Sequence, residues 1–343
     1  MRFSELGEFG FIERISEHGV VREEGVLCGI GDDCAVFSLG AGRALLVTTD
    51  LMVEEVHFLT GASAPEGLGY KLLAVNLSDI AAMGGTPRDA VVSVAIPGDF
   101  DVGYVERIYD GLHAYGSLSK VNISGGDTTR SPGPLVLNLM LIGEMPEDQI
   151  CYRSGAKPGD LIYVSGTLGD SAAGLELVRG LDIEIPLEHR SALLKRHHRP
   201  QPRVELGQRL AASGVVTAMI DLSDGVASDL RHICSQSEVA AVILSDGIPL
   251  SPACEAFGEA TETDVLSKAL SGGEDYELLF TVKPEGVERV RSLEEKTGTP
   301  PLSQIGRIEE GRDQLHLEDA DGRRELEEAG FDHFKQTDVS RGA

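Results

Sequence analysis

The sequence predicts an α+β protein of two domains. Three observations carry that expectation: a length of 343 residues, an ordinary globular composition, and strand and helix patterns that mix without strict alternation. A chain of this length is long for one compact core and comfortable for two. Hydrophobic residues make up 41% and charged residues 25%, too apolar a balance for disorder, so folded structure is expected throughout.

In the first half RALLVTTD reads as a strand, PEGLGYKLLAVNLSDIAAMGG as a helix opened by Pro65 and closed by Gly84, and DAVVSVAIP as another strand. DVGYVERIYDGLHAYG then reads as a helix, KVNIS as a short strand and PLVLNLMLIGEM as a longer one. The stretch RSGAKPGD, rich in Gly, Pro and charge, marks a break, which sets the domains at residues 1–150 and 151–343. The second half opens with the strand LIYVSG. It continues through a strand ending at AMID, the helix VASDLRHICSQ, the strand AAVIL and a hairpin-like ELLFTV.

Composition narrows the function classes. Lys and Arg total 30 against 56 Asp and Glu, a net charge of −26, which would repel nucleic acid and anionic membrane and would let phosphate bind only with cations, although solubility or a salty habitat accounts for such a charge as well. Much of the excess lies in runs expected to face solvent, such as Glu309 to Asp321. The first residues hold no apolar core of signal-peptide length, and no uncharged apolar run is long enough to span a membrane, so a cytoplasmic location is expected. Five cysteines without a CxxC pair suggest reduced thiols rather than a zinc site or a disulfide framework.

Short turns that combine Gly with acids recur in both halves. GIGDDCAVF places Asp32 and Asp33 after a flexible turn where two carboxylates can converge on a cation, although a solvated surface turn reads the same way. VTTD sets Thr48, Thr49 and Asp50 at an expected strand end, offering the hard oxygen donors that suit a hard cation; strand capping is the alternative. Asp79 lies at helical spacing from Leu72, Val75 and Ala82 on a face that should be buried, and Asn76 shares it. A buried carboxylate costs several kcal/mol unless paired, and no Lys or Arg lies one turn away, which leaves a metal ion or a distant Arg as its partner.

NISGGDTTR gives Asp127 a preceding strand and a glycine pair; MIDLSDG repeats the design with Asp221, Ser223 and Asp224; LSGGEDYELL does so with Glu274 and Asp275. Together these point to multinuclear cation binding. SGTLGDSAAG offers free backbone amides for an anion at a helix start, or simply a tight strand-to-helix connection. P-loop, protein-kinase and dinucleotide-binding signatures are absent from the sequence.

The strings GIGDDCAVF, TTDLMVEEVHF, KLLAVNLSDIAAMGG, SGGDTTR, RSGAKPGD, TLGDSAAGL, IDLSDG and SGGEDYEL, in that order, resemble the thiamine-monophosphate kinase family of the aminoimidazole-ribonucleotide-synthetase-like (PurM-like) superfamily. The resemblance extends to GFDHF near the C-terminus. It implies a PurM-like α+β architecture, with an N-terminal sheet and helices at a homodimer interface and a mixed C-terminal domain. It also implies transfer of the γ-phosphoryl of ATP to thiamine monophosphate on several magnesium ions, the final step of thiamine diphosphate biosynthesis, with no covalent nucleophile.

By matching motif positions, the resemblance implies Asp33, Thr48, Thr49, Asp50, Asp79, Asp127, Asp221 and Asp224 as the magnesium set. Tyr115, Gly126, Asp127, Arg153 and Ser223 are implied as ATP contacts, and His57, Glu274 and Phe331 as substrate contacts. Within the superfamily, selenophosphate synthesis would want a reactive Cys and Lys pair near the N-terminus, and the hydrogenase-maturation proteins a C-terminal cysteine; neither is seen. A non-enzymatic acidic cation binder is the rival of another class, and Asp79 within an apolar helix suits it less well than an internal site.

Overall fold

The computed structural model describes residues 1–16, 19–326 and 333–334. The first half contains α1 (Phe3–Ser16), β1 (Val26–Cys28), β2 (Ala35–Gly40), β3 (Arg43–Val53), α2 (Pro65–Ala82), β4 (Thr86–Pro97), α3 (Val102–Ser119), β5 (Asn122–Ser131) and β6 (Val136–Pro146). Its strands form one sheet in the order β1-β2-β3-β6-β4-β5, antiparallel except where β5 runs parallel to β4. Period-2 burial builds it: Leu137, Leu139 and Leu141 on β6 are wholly buried, as are Ala44 and Leu46 on β3.

Helix α2 covers this sheet and is buried on nearly every side, because α3 packs on its outer face. The two helices approach backbone to backbone through glycine. A Cβ added at Gly69 would stand 1.9 Å from Ile108 O, and one at Gly111 would stand 2.0 Å from Glu66 O. Any side chain at either position would push the helices apart.

The second half contains β7 (Leu161–Ser165), α4 (Asp170–Val178), α5 (Leu187–His198), α6 (Val204–Ser213), β8 (Val216–Asp221), α7 (Val226–Ser237), β9 (Ala240–Leu244), α8 (Pro252–Thr261) and α9 (Val265–Ser271). It ends with β10 (Leu278–Val282), α10 (Val287–Glu294), β11 (Leu302–Glu309), β12 (Gln314–Asp319) and β13 (Gly322–Glu325). The sheet order is β13-β12-β9-β11-β7-β10-β8. ELLFTV is therefore no hairpin: β10 lies antiparallel between β7 and β8 and all five of its residues are buried. Its side chains alternate between two cores, Leu278, Phe280 and Val282 joining α2 and the first sheet, Leu279 packing under α7 and α9. The two halves thus share a core, and α2 touches both β8 and α6.

Three further expectations change. KVNIS continues through GGDTTR as one edge strand paired with β4, so the glycine pair lies inside a ladder and Asp127 is within a strand. Asp50 is likewise inside β3, which runs on to Val53. The run from Glu309 to Asp321 is not simply a solvated face, because β12 pairs parallel with β9 and buries Leu315 and Leu317 completely. The five cysteines are free thiols. Among the described residues no helix is long and apolar enough to cross a membrane.

Candidate active site

The acidic turns from both halves meet where α2 crosses from the first sheet to the second. Asp33 follows β1, Asp79 projects from the C-terminal half of α2, and Asp221 ends β8. One carboxylate oxygen from each lies within 4.8 Å of the others, the one such group of three or more converging His, Cys, Asp or Glu side chains among the described residues. The Thr48 hydroxyl, reaching from β3, donates to Asp79 Oδ2. Arg153 closes one side: its Nη2 and Nε lie 2.6 and 3.1 Å from Asp33 Oδ1, and its backbone N–H reaches the Asp32 carboxylate at 3.2 Å. The distant Arg considered as a partner for Asp79 is thus on Asp33 instead.

Three carboxylates at this spacing repel one another and are poorly hydrated. Burial first, and then the neighbouring carboxylates, push Asp79 well above the usual range and Asp221 up to about 8; burial raises Asp50 to about 6. Asp33 is raised by burial despite the Arg153 guanidinium beside it. Asp33 Oδ2, Asp50 Oδ2, Asp221 Oδ2 and Asn76 Oδ1 are buried without a hydrogen-bond partner. Unpaired buried oxygens of carboxylate and amide type are the donors a hard divalent cation takes, so the residues fit magnesium.

Folded-state values of about 8 and about 6 exceed the ~3.9 of an unfolded aspartate, so the folded chain holds protons that the unfolded chain has released. Stability from this source is full below the unfolded value and is lost as pH rises through the folded ones. Buried His197 and partly buried His232, lowered chiefly by loss of hydration to about 3 and about 4, act oppositely, but only below the ~6.5 of a free histidine. Between pH ~6.5 and ~8 the metal-free protein is therefore expected to melt at lower temperature as pH rises, and magnesium to flatten that slope. A melting temperature that climbs across this window without metal would contradict the assignment.

The remaining sequence-implied residues fall into several places. Thr49 is exposed and accepts from Asn138 Nδ2 at 2.9 Å, which also bonds Asp50 O at 2.9 Å. Asp50 stands outside the triad yet near enough to raise Asp79 and Asp221 electrostatically. Gly126 and Asp127 lie exposed on edge strand β5, outside the triad, and a Cβ at Gly126 would stand 1.7 Å from Val92 O, so only glycine fits there. Ser223 and Asp224 precede α7, where the Asp224 and Gly225 amides donate to buried Asp229 at 3.2 and 3.1 Å. Tyr115 stacks on Tyr70 of α2 with ring centroids 3.9 Å apart. Phe331 lies outside the described residues.

The two described substrate-contact residues come together. Glu274 bonds Lys71 Nζ at 2.7 Å and lies 3.2 Å from His197 Nδ1. Burial pushes its carboxyl up, but Lys71, His197 and His57 outweigh that and hold it below the usual glutamate value. His57 accepts from Val53 N–H at 3.0 Å and rests against the ring of His333.

The sequence reading missed Lys71 and His197 as partners of this site. A lysine within an otherwise apolar helix was the available signal for the first. It also left the anion at SGTLGDSAAG open. That anion is internal, since the Gly169 and Ser171 amides donate to Asp275 at 2.7 and 3.4 Å, placing a carboxylate on the N-terminus of α4.

Comparison with known proteins agrees with this geometry. Residues 31–145 match the N-terminal domain of AIR synthase related protein, and residues 157–318 match its C-terminal domain. Two such domains, each contributing carboxylates to one acidic cluster, define the class, that of the AIR synthase related proteins. The thiamine-monophosphate kinase of Haemophilus influenzae is 38% identical over 97% of this chain and 99% of its own length; that of Bacillus subtilis is 36% identical over 96% and 100%. Among solved structures, AaThiL complexed with AMPPCP and TMP superposes with a TM-score of 0.85 at 36% identity, covering 97% of this chain and 99% of that one. Within its class the chain belongs to the thiamine-monophosphate kinase family.

Proposed function

We propose that the chain transfers the γ-phosphoryl of ATP to thiamine monophosphate, releasing thiamine diphosphate and ADP as the last step in making that cofactor. The convergence of Asp33, Asp79 and Asp221 with unpartnered buried oxygens carries the reading, in a chain whose relatives are thiamine-monophosphate kinases. A related structure holds AMPPCP and TMP together, which supports ATP and thiamine monophosphate as the two substrates.

Asp33, Asp79 and Asp221 would hold magnesium, with Thr48, Thr49, Asp50, Asp127 and Asp224 completing the set around several ions. When bound, magnesium neutralises phosphate charge and aligns donor and acceptor oxygens. The protein's own part is positional. Arg153, already aimed at the carboxylates, can turn its guanidinium to ATP phosphate; exposed Gly126 would offer its backbone to the nucleotide, and Ser223 and Tyr115 would complete the ATP side. His57, Glu274 and Phe331 receive the acceptor. A phosphate monoester with a second pKa near ~6 is largely dianionic at neutral pH and needs no general base, so direct in-line transfer without a phosphoenzyme follows.

The reading extends to a homodimer formed through the first sheet. Leu27, Phe37, Leu39 and Leu51 on β1, β2 and β3 are exposed, an apolar set that suits pairing with a second copy. It places the enzyme in the cytoplasm, divided at residues 150 and 151, with neither nucleic acid nor membrane as partner at a net charge of −26. Incubation with ATP, magnesium and thiamine monophosphate is expected to give thiamine diphosphate and ADP in equal amounts. Nucleotide binding without product would overturn the proposal.

A further inference from the structure

Two turns of α2 away from the carboxylate triad lies a second charged cluster. Glu274 stands in the loop before β10 with φ +67°, a left-handed conformation unfavourable for a side-chain-bearing residue. Its backbone N–H donates to Ser223 O at 2.7 Å, which ties this loop to the turn carrying Asp224. Its carboxylate reaches Lys71 of α2 on one oxygen and His197 of α5 on the other. The Lys71 side chain is only 3% exposed, and that of Glu274 is 25% exposed. Lys71 is thus enclosed with, among the described residues, one carboxylate as its counter-charge, and Glu274 remains a quarter exposed.

His197 is buried, and that burial together with the Lys71 ammonium keeps its ring neutral. Facing a carboxylate oxygen, Nδ1 must carry the hydrogen, since a lone pair there would be repelled. Ser171 Oγ, 3.2 Å from the same nitrogen, then accepts from it as well or turns its own hydrogen elsewhere. Glu274 is accordingly held from two sides by donors belonging to different elements. Its orientation does not depend on the acceptor being present.

The helix supplies the distance. Lys71 precedes Asp79 by eight residues, which at 1.5 Å per residue separates the two charged clusters along the helix by about 12 Å. Thiamine monophosphate has its phosphate at one end, a cationic thiazolium in the middle and an amine-bearing pyrimidine at the other end. Extended, it spans a distance of this order. A carboxylate accepts from the exocyclic amine and favours the neighbouring cation.

We infer that Lys71 and His197 are positioning residues that fix the Glu274 carboxylate as the recognition point for the aminopyrimidine end of the acceptor, with α2 setting its distance from the phosphate end. The inference rests on thiamine monophosphate being the acceptor.

Steady-state kinetics of Lys71→Met, Glu274→Gln and the double variant test it. Lys71→Met is expected to raise KM for thiamine monophosphate at least about tenfold while KM for ATP changes less than about twofold. In the Glu274→Gln background the same change should add less than about twofold, because the group it positions is already altered. Hydroxyethylthiazole phosphate, which lacks the pyrimidine, should be handled alike by wild type and Lys71→Met. An unchanged KM for thiamine monophosphate, a parallel rise in KM for ATP, or full additivity in the double variant would overturn the inference. Should Lys71→Met fail to fold, His197→Phe, which fills the ring volume without a donor, replaces it with the same expected split, and an unchanged KM there is equally fatal. Wild-type protein that makes no thiamine diphosphate would remove the function itself, whereas normal wild-type turnover with an unmoved KM in the variants removes this inference alone.

Discussion

Asp79→Asn is expected to lower turnover by at least about 100-fold while leaving the fold in place, a loss typical of removing one charged stabiliser of a transition state. The reasons are geometric. Asp79 converges with Asp33 and Asp221, receives the Thr48 hydroxyl, and has its carboxyl raised by burial and then by its neighbours. Asn keeps an oxygen for Thr48 and nearly the same volume, so packing of α2 survives. It also stays neutral without taking up a proton, so the metal-free variant should melt no lower than wild type at pH ~8. The kinetic loss should be largest at limiting magnesium. Unchanged turnover under that condition removes Asp79 from the metal set.

Glu277→Ala carries the largest expected effect on stability. Glu277 is wholly buried and accepts from Ser165 Oγ at 2.6 Å, Arg196 Nη2 at 2.9 Å, Arg203 Nε at 2.6 Å and Arg203 Nη2. Arg196 and Arg203, from α5 and the start of α6, are themselves less than one-fifth exposed. Truncation leaves two enclosed guanidiniums facing a void, for which the expected cost is about 3–5 kcal/mol in urea unfolding. Glu277→Gln, which keeps an acceptor oxygen and the volume, should cost less. Function should fall too, because Asp275 and Glu274 lie two and three residues before Glu277 and Arg196 also bonds Asp275 O at 3.4 Å. A change within about 0.5 kcal/mol for the alanine variant contradicts the role assigned to the pair network.

What the sequence made legible was what local periodicity and turn chemistry encode. Helix α2 was readable from its Pro start, its Gly stop and its apolar face, and Asp79 stood out because nothing nearby could pair with it. Asp33 and Asp221 were readable as acids at element ends. Edge strand β5 was not, because a glycine pair reads as a turn until β4 is known to continue the ladder beside it. The central position of β10 was equally hidden, since short apolar runs look alike whether they sit at an edge or between two strands. Pairings that join distant elements, Arg153 with Asp33 and Lys71 with Glu274, depend on two sheets docking across α2 and leave no trace in local spacing.

On the proposed function, acids scattered along the chain gather divalent cations that hold a polyphosphate. Anomalous diffraction from crystals of the full chain grown with Mn2+ and AMPPCP tests it most directly. A manganese peak is expected within about 2–2.5 Å of a carboxylate oxygen from each of Asp33, Asp79 and Asp221. Bound nucleotide with no manganese among those three carboxylates would contradict it.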